Sequence, residues 1–323
     1  MASASELTYT LEGASLGLRE DGRGLLDYRH CSVDVGVLPQ ASGSCRLRTG
    51  GTELLVGIVA TLATPDALAP ELGRITVSVG CGPGDTVFAG LPDYDALAQG
   101  MLDAEGKRLW IEAALRQLYG PRSVPAALRT LCIVPGRQCW ELKAHVQLIR
   151  ADGCPLDAAA LALRAALHDT RVPKVAVAAS SSSSSGGAPA ENGAPPASAG
   201  GRLDLDLDET LDDSVPFDAA ALPLYITLCH LGGHLLADCS AKERKAAGSA
   251  LSLALNADGS VVGLLGGGGF GLHMSSLAAA MTASRALCVE LHSAAAVAIA
   301  EAAEAAAQRG GAAASEGVGF ARN

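Results

Sequence analysis

A stretch of low-complexity sequence divides this chain into two patterned parts and limits its possible folds more than any other feature. Residues 178–202 consist mainly of Ser, Gly, Ala and Pro, and Ser180 to Ser185 are six consecutive serines. An acidic run without any basic residue follows at 204–213. The serine-rich segment has no large apolar side chain to bury, and clustered acids favour solvent. We therefore expect a solvated insertion at 178–214 between two folded parts.

The part before the insertion shows the alternation that is typical of a β-sheet. From Glu141 to Leu148, every second residue is apolar, which predicts a strand with one buried face. Leu54 to Val59 is nearly all apolar, which predicts a strand that is buried on both faces. Residues 93–119 predict a helix, and Asp157 is expected to cap the start of another helix that ends near His168.

The part after the insertion predicts two hairpins and a long helix. Leu224 to Leu231 and His234 to Cys239 flank Gly232-Gly233, which is typical of a tight turn between antiparallel strands. A second pair of strands is expected between Ala250 and Leu265. From about Met274 to Ala307, apolar residues recur at helical spacing, so one stripe should face the core. The order of the elements indicates an α/β (α+β) fold with two similar halves.

Charge and composition exclude several classes of protein. The chain has 323 residues and a net charge of −10, whereas a free-standing nucleic-acid binder would be basic. Aromatic residues make up 3%, so few rings are available to stack on unpaired bases. Nine cysteines without a C-x-x-C pair indicate buried thiols in a reducing compartment. We expect an intracellular chain without membrane contact, because neither a signal peptide nor a long uncharged apolar run is evident.

Three short patterns resemble functional motifs but lack the context that the chemistry needs. Gly13 to Gly17 fits a nucleophile elbow, yet no buried strand precedes it. Gly266 to Gly271 fits a dinucleotide-binding loop, yet no strand with a ribose-binding acid follows it. Two cysteines and two histidines between Cys229 and Cys239 lack the paired spacing of a zinc site. We therefore expect no metal and no cofactor, and a nucleotide-cofactor enzyme built around Gly266 to Gly271 is the alternative.

Several stretches are similar to the ribonuclease PH superfamily. The first is the opening signature LREDGRGLLDYR at Leu18 to Arg29, and the similarity continues in register to the C-terminal helix. The others are ASGSCRLRTGGTELLVG at 41–57, TLCIVP and CWEL within 130–142, residues 157–175 with DTRVP at 169–173, and LPLYITLC with LLAD within 222–238. The resemblance divides the chain into an N-terminal segment (1–17), a ribonuclease PH-like domain in two parts (18–177 and 215–308), the insertion (178–214) and a flexible tail (309–323).

The resemblance implies two βα-rich halves and, in active members, 3′-to-5′ cleavage of RNA with phosphate as the nucleophile. That chemistry needs cations around two anionic phosphates, and acids for proton transfer or metal binding. Active members have Asp at the position of Asp238 and again two and six residues later. Here those later positions hold Ser240 and Arg244. The phosphate-binding stretch is replaced by Gly153 to Asp157, whose acid would repel phosphate. We expect no phosphorolytic activity from this chain alone.

The resemblance also implies work within an assembly. It implies a non-catalytic ring subunit of the RNA exosome, with related ring subunits, cap subunits that have RNA-binding domains, a hydrolytic nuclease and RNA as partners. The alternative is an active phosphate-dependent 3′-to-5′ exoribonuclease. The resemblance also implies residence in the nucleus, nucleolus and cytoplasm.

Two charged features leave alternatives open. Arg108, Arg116 and Arg122 are candidate RNA contacts because the resemblance places their helix beside the RNA path, and the alternative is pairing with surface acids. For the acidic run at 204–213, competition with RNA for a basic groove is the alternative to a plain solvated surface.

Overall fold

The structure is a computed structural model that describes residues 4–82, 104–177, 205–207, 214–268 and 273–316. Six helices and fourteen strands lie in these ranges. The helices are α1 (Ala4–Ser15), α2 (Ala104–Leu118), α3 (Pro125–Arg129), α4 (Pro155–Asp169), α5 (Ala241–Ala246) and α6 (Met274–Glu316). The strands are β1 (Cys31–Val35), β2 (Gly43–Thr49), β3 (Thr52–Ala63), β4 (Arg74–Cys81), β5 (Cys132–Val134), β6 (Gln138–Arg150), β7 (Arg171–Pro173), β8 (Val175–Val177), β9 (Leu205–Leu207), β10 (Ser214–Pro216), β11 (Leu224–Leu231), β12 (His234–Ala237), β13 (Ser249–Leu255) and β14 (Val261–Gly268).

The first sheet has the strand order β1-β2-β3-β6-β4, with β5 paired to β6 outside this path. Strands β4 and β6 run parallel, and the other neighbours are antiparallel. Every second residue from Leu142 to Leu148 is at most 1% exposed, so the alternation predicted for β6 is confirmed. The prediction for β3 is wrong in one respect, because only one of its faces is buried. Leu54 and Val56 lie in the core, whereas Val59 on the other face is 49% exposed.

The second sheet has the strand order β12-β11-β13-β14 and contains both predicted hairpins. Gly232 and Gly233 join β11 to β12 with φ angles of 55° and 92°, a backbone conformation that glycine adopts without steric cost. Strand β14 continues to Gly268, so the first part of the glycine-rich pattern is β-strand. Residues 269–271 of that pattern lie outside the described residues.

Helix α4 connects the two halves. It packs against β2 and β3 of the first sheet and against β11 of the second. Eleven of its fifteen residues are buried, and most of these are alanines. Small side chains allow strands to approach a helix closely from two sides. The alanine-rich composition therefore explains how a helix can lie between two sheets in a chain with few aromatic residues.

Helix α6 covers strands of both sheets. It packs against β1, β11 and β13, and Cys288, Ala295 and Ile299 on its inner face are buried, which confirms the predicted stripe. The helix continues to Glu316, beyond the predicted end and into the range assigned to the tail. By length and composition alone, Met274–Arg309 could cross a membrane. Its inner face packs against the two sheets, as does a core helix of a globular fold.

The three helices α1, α3 and α5 were not predicted, and α2 differs from its prediction. Helix α1 lies in the weakly patterned N-terminal segment, and the six-residue helix α5 follows β12. Helix α2 begins at Ala104, and residues 83–103 lie outside the described part of the chain. Its buried side includes Ile111 and Leu115, whereas Leu109, an apolar residue of the predicted helix, is 40% exposed. Packing against β4 sets which side of α2 faces inward.

The strands next to the insertion form paired ribbons. Strand β7 pairs with β10, and β8 pairs with β9. Val177 lies opposite Leu205, so the two ends of the segment 178–204 are neighbours in a ladder. Leu205–Leu207 therefore forms a strand within the range 178–214 that was assigned to the insertion.

Candidate functional site

Asp238 lies directly after β12, and two arginines hold its carboxylate. Arg29 donates its backbone N–H to Oδ2 at 2.8 Å, its Nε to Oδ2 at 2.9 Å and its Nη2 to Oδ1 at 2.7 Å. Arg23 Nη1 donates to Oδ2 at 3.4 Å. Asp238 has a φ of 43°, a left-handed conformation in which Asp is enriched over other non-glycine residues. Because its oxygens accept these bonds, the carboxylate is held in place by two guanidinium groups.

Arg29 links three separate parts of the chain. Besides Asp238, its Nη1 donates to Asp152 Oδ2 at 2.8 Å, and Asp152 lies in the turn between β6 and α4. The side chains of Arg29 and Asp238 are 11% and 9% exposed. Burial alone would lower the pKa of the Arg29 guanidinium, but the hydrogen bonds and charge of Asp238 outweigh it and raise that pKa. Arg29 is therefore a cation fixed by two acids.

Ser240 caps the helix α5. Its Oγ accepts from the backbone N–H of Glu243 at 3.4 Å, and Glu243 Oε2 accepts from the Ser240 N–H at 2.8 Å, which is a capping box. Arg19 donates to the same carboxylate, with Nε to Oε1 at 2.8 Å and Nη2 to Oε2 at 2.7 Å. Ser240 thus starts a helix at a position where the resemblance implies a catalytic acid in active members.

Arg244 is buried beside two thiols. It is 4% exposed, and its Nη1 lies 3.4 Å from Cys229 Sγ and 4.0 Å from Cys154 Sγ. Cys239 lies in the same buried cluster. Hydrogen bonding to Cys229 and burial raise the pKa of the Cys154 thiol well above its usual value. The site therefore has a buried arginine beside thiols at a position where the resemblance implies a carboxylate in active members.

The stretch from Gly153 to Asp157 forms the start of α4. Gly153 has a φ of 77°, and a Cβ atom there would collide with the carbonyl of Cys239, so this close approach requires glycine. The prediction that Asp157 caps α4 is wrong, because the helix begins at Pro155 and Asp157 lies within its first turn. Asp157 instead accepts from the Thr227 N–H at 2.7 Å and bonds the Thr227 hydroxyl at 2.6 Å. Burial raises the pKa of Asp157 to about 7.

A cavity of about 240 Å³ lies between these groups and α6. Arg29, Asp157 and Asp238 contribute its charged side chains, and most of its wall is apolar. Tyr28 also lines it, and the Tyr28 hydroxyl is buried without a hydrogen-bond partner among the described residues. A phosphate ion here would meet two carboxyl groups and one arginine that is already paired. The cavity therefore lacks the surplus of positive charge that phosphorolysis requires.

Arg108 and Arg116 stabilise the edge of the first sheet. Arg108 Nη1 donates to the carbonyl of Val79 at 2.6 Å, and Arg116 Nε donates to the carbonyl of Val77 at 2.9 Å. Between them, Glu112 Oε2 accepts from the Val79 N–H at 3.0 Å. Strand β4 is an edge strand, and exposed edges need such protection. These side chains therefore bind backbone groups of β4 that a neighbouring strand would otherwise bind.

Acids of the same helix also neutralise these two arginines. Arg108 pairs with Glu105 and Glu112, and Arg116 pairs with Glu112. Arg122 lies beyond the end of α2 and is exposed. Contact of any of the three with RNA stays a prediction.

The structure brings the sequence-predicted site residues Asp238, Ser240 and Arg244 together around one turn. Sequence reasoning missed their partners Arg19 and Arg29, although both lie in the opening signature. The signature has three arginines in twelve residues. This density could have indicated that the arginines pair with acids from elsewhere in the chain. Within the ranges that the structure describes, no group of three His, Cys, Asp or Glu side chains is arranged to hold a metal ion.

Two family models match this two-part fold. The model "3′ exoribonuclease family, domain 1" matches residues 27–173, and "3′ exoribonuclease family, domain 2" matches residues 221–286. Together they cover more than half of the chain, so the chain belongs to the 3′ exoribonuclease (RNase PH) family. The superfamily and the fold class predicted from the sequence are confirmed.

The relatives within this family include archaeal proteins named Exosome complex component Rrp42. The protein of Methanosarcina mazei is 26% identical over 248 residues, which is 76% of each chain. That of Pyrococcus abyssi is 30% identical over 229 residues, which is 70% of each chain.

Two solved structures share the fold. A structure described as "Archaeal exosome core" has a TM-score of 0.66 at 21% identity, and the match covers 90% of this chain and 96% of that one. A structure of the Archaeoglobus fulgidus exosome with RNA bound to the active site has a TM-score of 0.63 at 21% identity, and the match covers 90% of this chain and 97% of that one.

Proposed function

We propose that this chain is a non-catalytic ring subunit of the exosome, which scaffolds a ring of related subunits and helps guide RNA for 3′-to-5′ processing and degradation. The similarity to relatives named Exosome complex component Rrp42 supports the assembly. The partners would be other ribonuclease PH-like subunits, cap subunits with RNA-binding domains, an associated hydrolytic nuclease and RNA. The complex would act in the nucleus, nucleolus and cytoplasm.

The observation that carries the non-catalytic assignment is the ion pair between Asp238 and Arg29. A general base needs a free acceptor near its substrate, but Asp238 accepts three hydrogen bonds from Arg29 alone. Ser240 caps a helix and Arg244 lies among thiols, so neither position supplies a second acid. The remaining acid therefore acts as a structural anion.

The neighbouring stretch supports the same assignment. A phosphate nucleophile needs positive donors in excess, whereas the cavity beside Gly153 to Asp157 contains two carboxyl groups against the single arginine Arg29. At neutral pH, about half of the Asp157 carboxyl groups would be charged, because burial raises its pKa to about 7. Either form of Asp157 occupies space without providing a cation.

The assembly is tested by capturing the tagged chain from its native cells under mild salt and measuring the mass of the intact complex. We expect one copy of the chain together with a stoichiometric set of related ring subunits and a hydrolytic nuclease. A variant without residues 180–201 is the matched control and should recover the same set. Recovery of the chain alone, or only as a homo-oligomer, would contradict the proposal and favour the alternative of an active phosphate-dependent exoribonuclease.

A further inference from the structure

The open face of the first sheet is basic, although the chain as a whole is acidic. Helices cover one face of this sheet, and the opposite face of β1, β2, β3, β6 and β4 lies free of helices among the described residues. Five basic side chains project from this open face against three acidic ones, in a chain with a net charge of −10. The basic members are Arg46, Arg48, Arg74, Lys143 and Arg150, and the acidic members are Asp34, Glu53 and Glu141.

One part of the surplus lies around Glu53, where three arginines share one carboxylate. Arg46 and Arg48 donate through Nε to Glu53 Oε1 at 3.0 and 2.9 Å. Arg150 Nη2 donates to Oε2 at 3.3 Å. The hydrogen bonds from Arg46 and Arg48 lower the pKa of Glu53 to about 2, so the cluster holds three positive charges and one negative charge at neutral pH. Asp34 lies opposite Arg46 on the neighbouring strand and is the other acid that faces it.

The arginine clusters of α2 and of the opening signature have no such surplus. Arg108 and Arg116 share the two acids Glu105 and Glu112. The arginines of the opening signature are matched in the same way. Arg19 pairs with Glu243, Arg23 with Asp21 and Asp238, and Arg29 with Asp152 and Asp238.

Arg48 and Arg150 present most of their donors to solvent. Their side chains are 51% and 71% exposed. A guanidinium has five N–H donors. Arg48 uses only its Nε, and Arg150 only its Nη2, in bonds to the described residues. Glu53 holds one side of each guanidinium, so the other side is oriented outward before any ligand binds. Guanidinium groups in this arrangement match the oxygens of a phosphate.

We propose that the sugar-phosphate backbone of single-stranded RNA binds this open face at Arg46, Arg48 and Arg150. The inference rests on the proposed function and adds the location of an RNA contact, which differs from the predicted one at Arg108, Arg116 and Arg122. Among the described residues, the open face of these strands has no aromatic side chain, so base stacking does not contribute. The contact is therefore independent of sequence and sensitive to salt.

The test measures binding of the full chain to a labelled oligouridylate by fluorescence anisotropy at salt concentrations from about 50 to 200 mM. The variant Arg48→Gln/Arg150→Gln leaves Arg46 paired with Glu53, so the carboxylate keeps a partner. We expect several-fold weaker binding at the lowest salt. The slope of log affinity against log salt should fall by about 0.7 for each arginine replaced. The matched control is Arg129→Gln/Arg285→Gln, which removes two exposed charges elsewhere and should keep the wild-type slope.

Three results would overturn the inference. The first is a wild-type chain that does not bind the oligouridylate at the lowest salt. The second is a variant with the wild-type affinity and slope. The third is a variant that binds RNA normally but no longer recovers related ring subunits on capture, which would make the face a protein interface. The proposed function is tested separately by the capture experiment. It would fail if the wild-type chain recovered no ring subunits there.

Discussion

The Arg29 guanidinium and the Asp238 carboxylate form a two-pronged ion pair, with Nε–Oδ2 at 2.9 Å and Nη2–Oδ1 at 2.7 Å. The pair joins the segment before β1 to the end of β12, and so connects the N-terminal part of the chain to the second sheet. Removing one partner of a buried pair leaves the other charge uncompensated. The hydrogen bonds that hold the Asp238 carboxylate are therefore also a source of stability.

Replacing Arg29 should destabilise the fold strongly. We expect Arg29→Gln to lower the free energy of unfolding by about 3–5 kcal/mol, because Asp238 loses its main buried partner. Urea denaturation followed by circular dichroism measures the change. The matched control is Lys242→Gln, which breaks an exposed pair with Glu20 and should leave the midpoint nearly unchanged. Equal shifts for the two variants would contradict this interpretation.

Asp157 should make stability depend on pH in the opposite direction to an ordinary surface acid. Burial raises its pKa in the folded chain to about 7, whereas an unfolded Asp titrates near 3.9. Between these values the folded chain binds the extra proton, so this contribution to stability is complete below about pH 4 and is lost as pH rises through about 7.

The variant Asp157→Asn isolates this effect from the titration of other groups. An amide can accept from the Thr227 N–H and donate to the Thr227 hydroxyl, as the protonated acid does. We expect the variant to be more stable than the wild type at about pH 8, with a difference that shrinks towards about pH 5. Thermal unfolding midpoints at several pH values measure it. A difference that does not change with pH would show that Asp157 keeps an ordinary pKa.

The sequence predicted elements best where a side-chain pattern alone decides the structure. The alternation from Glu141 to Leu148 and the Gly232-Gly233 turn both predicted what the structure has. The cap at Asp157 was predicted wrongly because Thr227, which is distant in sequence, offers this acid a better partner. Long-range partners of this kind are absent from any local pattern.

In the candidate site, too, the sequence predicted what residue types reveal and missed what long-range contacts decide. Ser240 and Arg244 were found because their residue types differ from those that the resemblance implies for active members, and Asp238 was found because it is the one acid that remains. The ion pair of Arg29 with Asp238 joins residues 209 positions apart, and no spacing rule connects them. The open face of the first sheet also depends on strand order, which brings Arg150 beside Arg46 and Arg48.

Restoring an acid at one position should not restore phosphorolysis. We expect no release of nucleoside diphosphates by Arg244→Asp, because the segment from Gly153 to Asp157 still lacks cations for the phosphate. Arg244 is buried, so circular dichroism must first show that the variant is folded, and Arg244→Asn is a milder companion. Phosphate-dependent RNA decay by either folded variant would refute the account of the phosphate pocket.

Removing the serine-rich segment should leave the fold intact. Val177 and Leu205 are paired, so deletion of residues 180–201 leaves a short connection between neighbouring strands, which a hairpin tolerates. We expect a thermal unfolding midpoint close to that of the full chain. A fall of many degrees would mean that the deleted residues pack against the fold.

The central claim, that this chain contributes no catalytic acid, is tested most directly by the intact complex with either the wild-type chain or Asp238→Asn. The measurement is the rate at which labelled RNA releases nucleoside diphosphates in the presence of inorganic phosphate, at equal amounts of assembled complex. The account predicts the same rate for both complexes, whether that rate is high or zero. Phosphorolysis by the wild-type complex that disappears with Asp238→Asn would contradict it and make Asp238 a catalytic residue.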